Sequence, residues 1–161
     1  MREESWNIST ITYSLVTGSR IGSQWKFVYY NGKYAVNCWE KIDGFWYHFD
    51  GNGIMQTGWL NLSGTWYYLN PNGAMQTGWQ LVGGNWFYME GSGAMATGWR
   101  YIAGSWYYMD DSGARVNNCW YWVGTNCYYF NENGEMAADA WIGDWYVDGS
   151  GAWIPEKVYD K

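Results

Sequence analysis

The chain has 161 residues and a formal net charge of −6, and 22% of it is aromatic: fifteen Trp, sixteen Tyr and five Phe. So many rings exclude a disordered chain, three Cys are too few for a disulfide scaffold, and nine Lys plus Arg make no basic face for nucleic acid. No apolar run approaches the ~18 residues of a membrane span, and the N-terminus, MREESWNIST, has no apolar stretch of a secretory signal.

Residues 1–17 are expected to be a lead or capping segment. A degenerate repeat unit starts near Gly18, where Trp25 and Gly32 have the spacing of Trp106 and Gly113 but no Trp leads. From Trp39 the frame is regular. Trp39, Trp59, Trp79 and Trp99 recur every 20 residues, and Trp120 and Trp141 follow at 21. Four consecutive units are WEKIDGFWYHFDGNGIMQTG, WLNLSGTWYYLNPNGAMQTG, WQLVGGNWFYMEGSGAMATG and WRYIAGSWYYMDDSGARVNNC. The next, WYWVGTNCYYFNENGEMAADA, has Cys127 in place of the second Trp, and the last, WIGDWYVDGSGAWIP, is shortened. The array spans 18–155 as about seven units, with 156–161 as a tail.

Each unit predicts a β-hairpin. Trp59-Leu60-Asn61-Leu62 alternates, Ser63-Gly64 turns, and Thr65 to Leu69 returns. A second turn at Asn70-Pro71-Asn72-Gly73 leads to Met75 and the next hairpin. In that register Trp59 faces Tyr68 and Asn61 faces Trp66. One face therefore carries Trp59, Trp66 and Tyr68, and the other Leu60, Leu62, Tyr67 and Leu69. Stacking is expected to bury the Leu face as a continuous core and leave the Trp/Trp/Tyr face between successive units. A period of 20 is too short for a propeller blade, so the fold class is all-β, a solenoid of repeated β-hairpins.

Packing alone accounts for some of these rings. It does not account for two Trp and a Tyr recurring opposite the aliphatic positions, with Met55, Met75, Met95 and Met136 beside the Gly turn. Three aromatic planes and a thioether make an apolar box that suits a quaternary ammonium group. The pattern from Gly58 through Trp79, and again from Gly78 through Trp99, resembles the choline-binding (cell-wall-binding type 1) repeats of Gram-positive surface proteins and of bacterial and phage lytic enzymes. The resemblance covers residues 18–155. It implies a left-handed β superhelix with about three hairpins per turn. It also implies choline or phosphorylcholine on teichoic and lipoteichoic acids as ligand, held between consecutive hairpins by two Trp of one unit, a Tyr of the next and a nearby Met.

Carried over by position, the sites implied are Trp39, Trp46 and Tyr68 with Met55; Trp59, Trp66 and Tyr88 with Met75; Trp79, Trp86 and Tyr108 with Met95; and Trp99, Trp106 and Tyr129, where Arg115 replaces the Met. That Arg is expected to weaken the fourth site. The fifth, with Trp120 and Cys127, is expected to be dead or altered, and His48 is a drifted cage wall for the first unit. Carbohydrate binding is the alternative, because sugars also stack on Trp and Tyr. Catalysis is not expected within this chain. It has a single His, no Ser/His/Asp or Cys/His grouping, and no metal or cofactor spacing. Asp50, Glu90, Asp110-Asp111, Glu132 and Asp148 fall in turns. The expected location is extracellular and wall-associated. The C-terminal hairpin, Trp141 to Trp153, is a candidate to close the array or pair with a second chain, and Cys38, Cys119 and Cys127 are expected to be free thiols.

Overall fold

The computed structural model describes residues 17–21 and 24–158, and the expected lead segment falls almost wholly outside them. Among these residues there is no helix, and seven antiparallel hairpins follow one another. They are β1 (Thr17–Ile21) with β2 (Gln24–Val28), β3 (Cys38–Ile42) with β4 (Phe45–Phe49), β5 (Gly58–Leu62) with β6 (Thr65–Leu69), β7 (Gly78–Val82) with β8 (Asn85–Met89), β9 (Gly98–Ile102) with β10 (Ser105–Met109), β11 (Cys119–Val123) with β12 (Asn126–Phe130), and β13 (Ala140–Ile142) with β14 (Trp145–Val147). A fifteenth strand, β15 (Trp153–Val158), adds to β14 and occupies its open edge. This strand runs past the expected boundary at residue 155, so part of the anticipated tail belongs to the last sheet.

The register is the one the alternation predicts. Trp59 pairs with Tyr68, Asn61 with Trp66 and Leu62 with Thr65. Both turn residues take left-handed backbone, Ser63 at φ 51° and Gly64 at φ 89°. That is the two-residue turn whose twist matches paired strands. After the second, third, fifth and seventh hairpins an Asx turn forms. The Asp50 carboxylate accepts from the amides of Asn52 at 2.9 Å and Ile54 at 2.8 Å, and Asp148 repeats the pattern with Ser150 and Ala152. These acids are backbone acceptors of turns.

The units with a 21-residue spacing differ at one backbone position. In the regular units a glycine at the strand start has positive φ, as Gly58 does at 75°. Where Cys38, Cys119 or Ala140 stands there, the preceding Asn37, Asn118 or Asp139 takes φ near 50° instead. Asn and Asp tolerate the left-handed region, so the strand's first position is released from glycine. This is why cysteine is accommodated. All three cysteines are free, as expected from their register, in which Cys119 faces Phe130 and Cys127 faces Trp122.

By its contacts the chain divides into two compact units, residues 1–77 with 91–94 and residues 78–90 with 95–161. In the first, the buried apolar residues include Phe27, Phe49, Leu69 and Ala35. In the second they include Met89, Met109, Phe130, Val147 and Ala96. The core is narrower than the Leu face predicted. Leu69 is completely buried, whereas Leu60, Leu62 and Tyr67 are half-buried. The Met75 segment bridges back onto Leu69 and covers it, while Leu62 adjoins the turn and Tyr67 reaches toward the preceding hairpin.

Candidate functional site

The third, fourth and fifth hairpins each offer a corner of two indoles. Trp59 and Trp66 lie 6.2 Å apart at 87°, Trp79 and Trp86 6.4 Å at 89°, and Trp99 and Trp106 6.2 Å at 90°. The period of two along each strand puts both on one face. The second Trp keeps an open side: Trp46 and Trp66 are 42% exposed, Trp106 is 45% and Trp86 is 37%. A corner of ring faces with one side open can admit a group from solvent.

The third wall comes from the following hairpin, one residue earlier than expected. Tyr67 packs on Trp39 at 5.1 Å, Tyr107 on Trp79 at 5.1 Å and Tyr128 on Trp99 at 4.8 Å. The expected Tyr68, Tyr88, Tyr108 and Tyr129 instead pack on the leading Trp of their own hairpins, at 5.1 to 5.4 Å. Strand alternation is the reason. Tyr68 shares a face with Trp59, so its neighbour Tyr67 is the ring that projects to the hairpin before. His48 follows the same rule and packs edge-on against Trp39 at 5.0 Å. The ring that accompanies Trp25 is Tyr47.

The methionines also shift, by one whole unit. The Met75 amide donates to the Trp46 carbonyl at 2.8 Å, Met55 to Trp25 at 2.9 Å and Met136 to Trp106 at 2.8 Å. The backbone of each of these methionines is therefore tied to the corner of the unit before its own. Met75 belongs with Trp39, Trp46 and Tyr67, and Met136 with Trp99, Trp106 and Tyr128. The expected pairings of Met55 with Trp39 and Trp46, and of Met75 with Trp59 and Trp66, are corrected accordingly. Each of these side chains also lies under a glycine two units on from the Trp it bonds. A Cβ at Gly73 would come within 2.5 Å of the Met55 sulfur.

Arg115 obeys the same geometry, with a chemical consequence. Its amide donates to the Trp86 carbonyl at 2.7 Å, and its guanidinium carbon stands 5.5 Å from the Trp79 ring centre and 5.8 Å from that of Trp86. Its aliphatic stem passes beneath Gly134. The third corner thus holds the chain's own cation where Met95 was expected. The fourth corner, expected to suffer from Arg115, has Met136. Nε of Arg115 is buried without a hydrogen-bond partner. Burial pushes this guanidinium's pKa down, and nearby Tyr107 and Glu135 oppose the shift. Ring faces are what stabilise the charge there. Lys157 of β15 similarly covers the last hairpin, with Nζ 3.3 Å from the Tyr146 ring centre and 5.9 Å from that of Trp141.

This recurring architecture matches known proteins. A choline-binding repeat profile fits residues 36–77 and 76–120, and a second choline-binding repeat profile fits residues 121–153. The chain belongs to the choline-binding repeat family. Among solved structures, CbpJ from Streptococcus pneumoniae TIGR4 is 34% identical over 91% of this chain and 52% of its own, with a TM-score of 0.79. Choline binding protein F from Streptococcus pneumoniae is 37% identical over 81% of this chain and 44% of its own, with a TM-score of 0.77. The modular Cpl-1 endolysin, solved with a peptidoglycan analogue, is 42% identical over 80% of this chain and 40% of its own, at a TM-score of 0.55. This chain therefore spans about half or less of these relatives. No curated protein sequence matches it.

The two ends of the repeat array depart from the regular cage. At the first boundary, Trp25, Tyr47 and Met55 line a cavity of about 380 Å³. Gly18 holds the register position of the leading Trp, opposite Phe27. At the sixth, Trp120, Trp122, Cys127, Trp145 and Trp153 line a cavity of about 290 Å³. Among the described residues no cluster of His, Cys, Asp or Glu could hold a metal ion, and no helix is long and apolar enough to cross a membrane.

Proposed function

We propose that this chain is a non-catalytic binding module that attaches to choline or phosphorylcholine carried on teichoic and lipoteichoic acids outside a Gram-positive cell. The observation that carries the reading is Arg115. A cation rests against two perpendicular indoles, on one of which Tyr107 packs, and the same corner of ring faces suits delocalised positive charge in the other units. A trimethylammonium group donates no hydrogen bond and needs only such ring faces. The sites proposed are Trp39, Trp46, Tyr67 and Met75; the Trp59 and Trp66 corner; Trp79, Trp86 and Tyr107 when Arg115 withdraws; and Trp99, Trp106, Tyr128 and Met136. Catalysis in a longer parent protein belongs to another domain.

Magnitudes support a polymeric ligand. Each desolvated cation–π contact is worth about 2 kcal/mol, and after the cost of association a site of about 4 kcal/mol is millimolar. A polymer that displays many cholines engages several sites together, and avidity multiplies affinity by ~10²–10⁴. The test is a choline titration followed by intrinsic Trp fluorescence, with glucose oligomers and a matched ammonium salt as controls. A saturable, choline-selective change in the millimolar range is expected. A response to the oligomers with none to choline would replace this reading with carbohydrate binding.

A further inference from the structure

The sixth boundary lacks the second Trp of the repeat, because Cys127 stands there. The structure shows what replaces it. On the paired strand, directly opposite Cys127, stands Trp122, at a register position held by Asn61, Leu81 and Tyr101 in earlier units. Paired residues of antiparallel strands share a face, so the indole lost from β12 returns to the same face from β11. The small thiol leaves room for it. Two further Trp come from beyond. Trp145 precedes Tyr146, which pairs with Trp141 as Tyr68 pairs with Trp59, so Trp145 holds the place of Tyr67. Trp153 pairs with Val147 as Met75 bridges Leu69, so it holds the place of the thioether. Trp145 and Trp153 meet at 5.5 Å and 79°, a perpendicular corner like those of the regular units.

From this we infer that the pocket of Trp120, Trp122, Trp145 and Trp153 is an additional organic-cation site, rebuilt by a cross-strand exchange of tryptophan and selective for a quaternary ammonium head group. The inference rests on the choline reading above and extends it to a boundary whose sequence has lost the repeat's own cage. Four indoles provide the strongest cation-binding faces among the side chains. Among the side chains lining the pocket, the one polar group besides the ring N–H groups is the Cys127 thiol, whose pKa burial raises. A primary ammonium would lose its hydrogen bonds to water there without replacement, whereas a trimethylammonium has none to lose. A sugar would find too few polar partners. The volume of about 290 Å³ sits at the small end of ligand pockets, ~300–1,000 Å³, and fits a head group.

The test is a choline titration of protein labelled with ¹⁵N in its indoles, with sodium chloride at matched ionic strength as control. Trp145 and Trp153 signals are expected to shift and saturate together with those of Trp39 and Trp46. In Trp122→Ala the choline needed to half-saturate Trp145 should rise about 10-fold, the worth of one lost indole wall, with Trp39 and Trp46 unchanged. Trp122 is 61% exposed, so the variant keeps its fold, and the distant signals verify it. If Trp39 and Trp46 respond while Trp145 and Trp153 do not, the sixth pocket is not a site and the choline reading stands. If Trp145 responds equally in Trp122→Ala, the cross-strand replacement is refuted. If no indole responds, the choline reading falls with it.

Discussion

Arg115→Met should open the third cage. The guanidinium covers Trp79 and Trp86 at 5.5 and 5.8 Å, and a cation on such faces is held by about 1–2 kcal/mol. That energy makes the closed arrangement about 5- to 30-fold more populated than the open one. Choline binds only the open fraction, so its apparent Kd at this corner is raised by about the same factor. The unpartnered Nε opposes closure and places the expected effect toward the lower end. Methionine at this position is already accommodated at 55, 75, 95 and 136, with the side chain under a glycine as Arg115 lies under Gly134, so the fold should be unchanged. An indole-resolved titration should show Trp79 and Trp86 responding only at high choline in the parent chain. In the variant they should respond at the concentrations that move Trp39 and Trp46. The reasoning is refuted if the parent's Trp79 and Trp86 already titrate alongside Trp39 and Trp46, because the arginine would then be no competitor.

Three further outcomes are expected. Trp66→Ala should remove choline binding at its own corner and leave Trp99 and Trp106 responsive, as read by the same titration; equal loss at every site would contradict local cages. Gly73→Ala should cost about 1 kcal/mol or more, since its φ is +84° and the new Cβ meets Met55; urea unfolding followed by circular dichroism measures it, and an unchanged midpoint would disprove the close approach. Burial holds His48 below its ordinary pKa, against a weaker opposing pull from Asp50, and its Nδ1 lacks a partner. The unfolded chain therefore takes up the proton first, and stability should fall as pH drops below about 6.5 until the folded-state pKa is passed. His48→Tyr, which restores the residue found at 68, should flatten that part of the urea midpoint against pH; an identical slope in both proteins would reject it.

The hairpins were legible because two signals agreed: alternation along each strand and paired residues such as Ser63-Gly64 that demand left-handed backbone. The leading and second Trp of each cage followed from the same period of two. The sequence could not show which neighbouring unit supplies the other walls. Tyr67 and Tyr68 are adjacent and chemically equal, and the choice between them is made by which strand face meets the preceding hairpin. Likewise, Met75 stands beside its own hairpin in sequence, yet its amide bonds the unit before. The change from 20- to 21-residue spacing was visible at Trp120 and Trp141. It marks the Asn or Asp that assumes the glycine conformation. Trp122 also carried a signal, a ring gained opposite a ring lost, which emerges once paired positions are compared across the turn.

The methionine linkage also sets a minimum length. Met55 bonds Trp25 of the first hairpin, follows the second, and lies beneath Gly73 after the third. Met136 joins the fifth, sixth and seventh in the same manner. Two hairpins cut from the array would retain a pair of indoles and a thioether, but nothing would roof the sulfur. Three consecutive hairpins are the shortest piece in which a complete cage is supported from both sides. Duplication or loss of single units during evolution would therefore alter binding in the middle of an array only gradually, while every newly created end would leave a sulfur without its roof.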